Sequence, residues 1–99
     1  MARHDVFIHR DGEGFLLDVQ ADILDALATR VVVPLLPIRS APEPAARLNL
    51  VFTIGETKVM MATQFLAAVP SSILIDRVAS LESEHDLIVA ALDMVFQGF

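Results

Sequence analysis

Residues 6–20, VFIHRDGEGFLLDVQ, decide how the chain begins to fold. Two short runs of apolar and β-favouring residues, at 6–10 and 15–20, flank the sequence DGEG at 11–14. Glycine readily adopts the positive φ angles that tight turns between antiparallel strands require. The pattern therefore predicts a β-hairpin near the start of the chain.

Further strand signals follow the hairpin. Three consecutive valines at residues 31–33 favour a strand, and the prolines that follow are expected to end its ladder or to place it at a sheet edge. A second hairpin is predicted over residues 48–62, with its turn at Gly55 and Glu56. Residues 69–75 include Pro70 and predict a short edge strand.

Two connecting segments are less regular. The proline-rich residues 40–45 predict an exposed loop, because neither flank is large enough to fold alone. Residues 21–29 fit a helix by their leucines and alanines, and an extended turn by their flanking strands. Periodicity does not decide between the two.

The last segment has the pattern of an amphipathic helix over residues 82–96. Ser80 or Ser83 can cap it, and acidic residues crowd its first turn, where the helix dipole favours them. We expect the terminal FQGF, residues 96–99, to dock on a second copy, on a target protein or into the core. The apolar face comprises Leu87, Ile88, Ala91, Leu92, Val95 and Phe96.

Composition indicates one domain over residues 1–99, rich enough in apolar residues (55%) to fold and to bury surface between subunits. A net charge of -6 opposes direct binding to nucleic acid. The sequence has no cysteine, no apolar run long enough to span a membrane and no signal peptide at its start. We therefore expect a cytoplasmic protein without membrane attachment.

Candidate catalytic groups are sparse. His4, His9 and His85 are far apart in polar surroundings, so we expect ordinary surface histidines. Asp18 and the two aspartates that follow, at 22 and 25, are spaced unlike any known acid-base pair or metal loop. The sequence therefore predicts no catalytic residue, no metal and no cofactor, and favours a protein that acts by binding.

The order of several segments resembles the CcdB family, the toxins of toxin-antitoxin pairs. The resemblance rests on LDVQADILD at 17–25, RVVVPL at 30–35, IGE at 54–56 with MMAT at 60–63, AVPSSI at 68–73 and the terminal FQGF. It implies a mainly β fold, an SH3-like barrel with an additional small antiparallel sheet and a C-terminal α-helix. It also implies a homodimer that is not an enzyme, binds the A subunit of DNA gyrase, traps the cleaved-DNA complex and is neutralised by a CcdA-like antitoxin.

The resemblance also implies which residues contact gyrase. The family ends in Trp-Gly-Ile, and this chain has Gln97, Gly98 and Phe99 there. A family Asn in the preceding helix becomes Asp93, and a Ser and Ile at a strand end become Ala21 and Ile23. Loss of the Trp leaves three alternatives: a gyrase poison with altered preference, an inactive relative that still binds antitoxin, and a toxin with another target.

Two further surfaces are predicted. The antitoxin is expected to be a flexible segment laid along the first hairpin. Dimerisation is expected through the C-terminal helix and the strand holding Met60 and Met61. The expected antitoxin footprint comprises His9, Arg10 and Asp11 in the turn and a neighbouring surface of Ile23 and Leu24.

A competing hypothesis is a ribonuclease, since a toxin family of similar barrel fold cleaves messenger RNA. Such an enzyme needs arginines to hold the scissile phosphate. Arg30, Arg39 and Arg47 are the available cluster, and the acidic charge balance argues against this function. A dimeric interaction module without toxicity is the third alternative.

Overall fold

The computed structural model describes residues 1–41 and 43–98. In this part of the chain seven strands precede one α-helix, α1 (His85–Gln97). Short 3₁₀ turns lie between the strands, and one of them, Glu82–Glu84, leads into α1. The strands are β1 (Asp5–Ile8), β2 (Phe15–Asp18), β3 (Thr29–Pro37), β4 (Val51–Ile54), β5 (Thr57–Met61), β6 (Ala67–Pro70) and β7 (Arg77–Ser80).

The strands form one antiparallel sheet in the order β4-β5-β3-β2-β1-β7. β6 pairs with the first half of β3, as a side branch of this sheet and not as a separate one. The sheet curls into a half-barrel with the C-terminal helix against it. The predicted mainly β, SH3-like fold with a C-terminal helix is confirmed.

The first hairpin forms as predicted, with Val6 opposite Leu17 and Ile8 opposite Phe15. Gly14 closes its turn with φ +80°. A β-carbon at this position would overlap the carbonyl oxygen of Leu35, on the neighbouring strand. Glycine is therefore required at position 14 both for the turn and for the close approach of β3.

β3 differs from its prediction, because it is a long central strand that contains both prolines. Along one side of β3, residues 29–32 pair with β6 and residues 35–37 pair with β5. Pro34 lies in the gap between these two partners, where a missing N–H costs little. Pro34 therefore marks a change of partner and does not end the ladder, whereas Pro37 is the last residue of β3, as expected.

The remaining elements agree with their sequence-based predictions to different degrees. The second hairpin (β4 and β5) turns at Gly55, which has φ +61°. The edge strand expected near Pro70 is β6, displaced toward the N-terminus. The segment 21–29 contains a single 3₁₀ turn, Asp22–Leu24, and no regular helix, and its last residue begins β3. β7, which pairs with β1, was not predicted by the sequence pattern.

The core lies between the concave face of the sheet and α1. Ile88 and Ala91 are the fully buried residues of the helix, with Leu92 packed beside them. Leu87, Val95 and other apolar residues of the predicted face remain exposed. The main cluster comprises Val6, Leu17, Val19, Val33, Leu35, Phe52, Ile54, Val59, Met61, Leu81, Ile88 and Ala91.

Candidate functional site

The end of α1 presents an aromatic side chain to solvent. Phe96 is 70% exposed, whereas Ile88 and Ala91 earlier in the helix are buried. Gly98 follows in the left-handed conformation, and its N–H donates to the carbonyl oxygen of Met94 at 3.0 Å. This is the conformation in which glycine ends a helix without a steric penalty. Gly98 therefore lets the chain leave the helix at this point.

Asp93, which is half-buried, and Gln97, which is exposed, lie one turn apart on the same helix. Gln97 Nε2 donates to Asp93 Oδ1 at 3.3 Å, which is a common pairing at this helical spacing. Phe99, also predicted in the gyrase contact, lies outside the described residues. Among residues 93–98, the exposed aromatic side chain is therefore that of Phe96, and position 97 carries an amide.

Ala21 and Ile23 lie in the loop between β2 and β3. The 3₁₀ turn at Asp22–Leu24 directs Ile23 outward, and its side chain is 90% exposed. Ala21 lines a cleft of about 370 Å³ together with His4 and His85. Because His85 is the first residue of α1, this loop lies beside the start of the helix.

The two halves of the predicted gyrase contact lie at opposite ends of α1. Ala21 lines a cleft with His85, the first of the thirteen residues of α1, whereas Gln97 is the last of them and Gly98 follows it. A helix of this length extends roughly 20 Å. A single copy of the chain does not join these residues in one surface, and their binding roles stay predictions.

The predicted antitoxin footprint is also divided. His9, Arg10 and Asp11 line a mainly apolar cleft of about 180 Å³ together with Ile73 and Ile75. Ile23 and Leu24 lie at the other end of the first hairpin, beyond the end of β2, roughly 13 Å of strand away. The two groups are therefore separated along the hairpin, and the footprint stays a prediction.

Arg30 lies in the interior and not on a nucleic-acid surface. Its side chain is 1% exposed, and its Nε donates at 2.9 Å to Asp18 Oδ2, with Nη2 at 2.6 Å from the same oxygen. Burial raises the pKa of the Asp18 carboxyl, and the Arg30 guanidinium opposes that shift. Arg39 lies beyond the opposite end of β3 and Arg47 farther along the chain, so the arginine cluster of the ribonuclease hypothesis does not form.

The methionines of β5 are core residues. Met60 and Met61 have no exposed surface within a single chain. Their side chains therefore pack within their own chain, and dimerisation through α1 and the strand that holds them stays a prediction. Met61 belongs to the main core cluster, together with Ile88 and Ala91 of α1.

His4 is buried, which corrects the expectation of a surface histidine. Its φ angle is +73°, a conformation that costs a residue other than glycine about 1–3 kcal/mol. Its N–H donates to the Asp18 carbonyl at 2.6 Å, and its own carbonyl accepts from the Leu81 N–H at 2.8 Å. Its ring meets that of His85 edge to face at 5.0 Å between centroids. These contacts join the chain's start to the start of α1.

The charge state of His4 makes stability depend on pH. Burial lowers the pKa of His4 below its ordinary value of 6.5, and Arg3 and His85 add to this effect. Asp22 and Glu82, which line the same cleft, act in the opposite direction and only partly offset it. As pH falls, the unfolded chain binds this proton before the folded chain does, so the contribution of His4 to stability declines below pH 6.5.

We expect His4→Asn to remove this contribution, since asparagine tolerates the left-handed backbone and does not titrate. Denaturant unfolding between pH 7.5 and 5.5 measures the difference. The wild-type chain should lose more stability over this range than the variant. Equal slopes for the two proteins would show that His4 does not carry the effect.

The remaining sequence candidates do not assemble into a catalytic site. Asp18 pairs with Arg30, whereas Asp22 accepts the N–H of Arg3 at 2.7 Å. Within residues 1–41 and 43–98, no three His, Asp or Glu side chains gather in a way that could hold a metal ion. None of the helices described is both long and apolar enough to cross a membrane.

The sequence analysis missed the residues that hold the loop of Ile23. Gln20 is buried and its amide bonds to three backbone groups around this loop, beside the Asp18–Arg30 pair. The available signal was a polar Asp-Val-Gln sequence that ends an apolar strand. Polar residues at such a position usually indicate a loop, so burial could not be inferred from the pattern.

Residues 3–98 match the sequence model of a protein family described as CcdB protein. The match covers nearly the whole chain. It therefore includes both hairpins, the loop that carries Ile23 and the helix that ends at Gln97.

Proposed function

Because the chain belongs to the CcdB family, we propose that it is the toxin of a type II toxin-antitoxin pair. It binds the A subunit of DNA gyrase and traps the complex in which DNA is cleaved, and a CcdA-like antitoxin neutralises it. It acts by binding and not as an enzyme, and its proposed target places it in the cytoplasm.

The exposed Phe96 ring is the observation that carries this proposal. An aromatic side chain that is 70% exposed at a helix end has the area of a typical interface anchor. Gly98 ends the helix two residues after Phe96, so the chain can turn away from the helix axis without covering the ring. Phe96 thus supplies aromatic surface next to the position at which Gln97 replaces the family Trp.

A homodimer is part of the proposal. Leu87, Val95 and Phe96 leave exposed apolar surface along α1, which a second copy can cover in part. Since one chain keeps Ile23 and Gln97 at opposite ends of the helix, a symmetric copy also offers a route to uniting them in one target surface. A gyrase-binding surface that includes both Ile23 and Gln97 then combines residues of the two protomers.

The antitoxin is proposed to bind at the turn of the first hairpin. The cleft beside His9 has an apolar floor that includes Ile73 and Ile75, and its rim carries the exposed ion pair of Arg10 with Asp76 (2.6 Å). This combination suits a flexible segment with alternating apolar and charged residues. Ile23 and Leu24 form a second, separate contact.

Hydrogen exchange with and without a tightly bound antitoxin tests this placement. We expect slower exchange at residues 8–14 and 72–76, because a bound segment shields the backbone of the cleft. Protection confined to other parts of the chain would place the antitoxin elsewhere.

The function itself is tested with purified protein in two parallel incubations. One contains gyrase and supercoiled DNA, and the other contains messenger RNA. Accumulation of cleaved-DNA complexes supports the proposal, whereas RNA fragments support the ribonuclease alternative. Antitoxin binding without either product would indicate a relative that is not toxic.

A further inference from the structure

The loop at residues 21–28 presents the most exposed large apolar side chain of the described residues. Ile23 is 90% exposed, and Leu24 and Leu27 nearby are also exposed. Within the loop, the backbone N–H groups of residues 24, 25 and 27 donate three hydrogen bonds to carbonyl oxygens of the same loop. Such short-range bonds by themselves rarely keep a surface loop in one conformation.

A single buried side chain ties this loop to the sheet. Gln20 Nε2 donates to the Leu24 carbonyl at 3.1 Å and to the Thr29 carbonyl at 3.2 Å. Gln20 Oε1 accepts the Val31 N–H at 3.1 Å. The amide thereby contacts the middle of the loop, its end and the strand that follows.

The backbone of Gln20 is also fixed. Its N–H donates to Asp18 Oδ1 at 3.0 Å, and the other oxygen of this carboxylate holds Arg30. Both ends of the loop therefore meet at one buried polar cluster, and Gln20 is the member of that cluster that reaches into the loop.

We propose that Gln20 is a positioning residue for target binding: its side-chain amide holds residues 21–28 in the conformation that presents Ile23. The proposal rests on the proposed function, in which Ile23 contacts the target. A loop that is already ordered loses less conformational entropy on binding, so its affinity is higher. Gln20 does not itself touch the target, because it is buried.

Glutamine suits this position for a chemical reason. Its amide offers two N–H donors and a carbonyl acceptor, and the site uses all three. Glutamate would place carboxylate oxygens against the two backbone carbonyls. Leucine would leave two carbonyls and one N–H without their partner.

The test compares Gln20→Leu with a matched control, Asn49→Leu. Asn49 is likewise a buried amide with three hydrogen bonds, to the Met61 carbonyl, the Gln64 side chain and the Ala45 N–H. It lies away from the loop, so both variants lose a similar buried network but only one loosens residues 21–28. Gln20→Glu is a second variant in case Gln20→Leu does not fold.

Two measurements are made on each protein. Hydrogen exchange of residues 22–28 reports loop order without any partner, and we expect it to accelerate at least about tenfold only in the Gln20 variants. The yield of cleaved-DNA complexes formed with gyrase reports target binding. We expect the Gln20 variants to need about a tenfold higher concentration than Asn49→Leu to reach the same yield. This effect is comparable to the entropy cost of ordering roughly one backbone residue on binding.

Unchanged exchange in the Gln20 variants would overturn the proposal. Accelerated exchange with the same gyrase trapping as Asn49→Leu would also overturn it. If the wild-type chain traps no gyrase, the proposed function fails, while the exchange measurement still decides whether Gln20 holds the loop.

Discussion

Replacing Asp18 with alanine is expected to lower the free energy of unfolding by about 3–5 kcal/mol. Asp18 and Arg30 are both essentially inaccessible to solvent, with side-chain exposures of 0% and 1%. The substitution leaves the guanidinium buried without its counter-charge, and also removes the acceptor of the Gln20 N–H. Because domains are typically stable by about 5–15 kcal/mol, this loss would leave the chain close to unfolding.

Denaturant unfolding at one protein concentration measures this change, and Asp76→Ala is the matched control. Asp76 makes an ion pair of the same length, 2.6 Å, with Arg10, but both side chains are about half exposed. Exposed pairs contribute at most about 1 kcal/mol. A loss for Asp18→Ala no larger than that for Asp76→Ala would contradict the assigned role of the buried pair.

The second large effect is expected at the end of α1. Phe96→Ala should weaken gyrase trapping by about thirtyfold or more, since truncating an aromatic anchor typically costs about 2 kcal/mol. Deletion of residues 97–99 should abolish trapping, and Gln97→Trp should strengthen it by supplying the aromatic surface that the family has at this position. The yield of cleaved-DNA complexes over a protein titration measures all three.

These variants should fold normally, because Phe96 is mostly exposed and Gln97 makes only a surface hydrogen bond with Asp93. Val51→Ala, an exposed apolar residue on the edge strand β4, is the control for loss of surface hydrophobicity. Sedimentation of each variant controls for loss of the proposed dimer. If Phe96→Ala and the truncation trap gyrase like Val51→Ala, the target contact lies elsewhere on the chain.

Local signals in the sequence were sufficient for the hairpins and the helix. Glycines at 14 and 55 supply positive φ angles, and the apolar spacing of residues 88–92 matches one helical face. These features depend on neighbours in sequence. β7 was missed because its four residues, RVAS, carry little strand signal and are held mainly by pairing with β1.

The candidate site was predicted only in part. The left-handed glycine at position 98 follows from the sequence, since few other residues end a helix in this way. The exposure of Phe96 does not, because an aromatic residue on the apolar side of a helix is usually buried. The tertiary structure places Ile88 and Ala91 in the core cluster and leaves Phe96 outside it.

The sequence by itself determined the alternation of strands and turns, the C-terminal helix and the family resemblance, because these depend on local residue types and their order. Only the tertiary structure decided that Arg30 is buried against Asp18, that Pro34 lies between two partner strands and that Gln20 holds the loop of Ile23. Each of these contacts joins residues from different elements. Their free energy depends on burial and on the direction of side chains, which residue order does not specify.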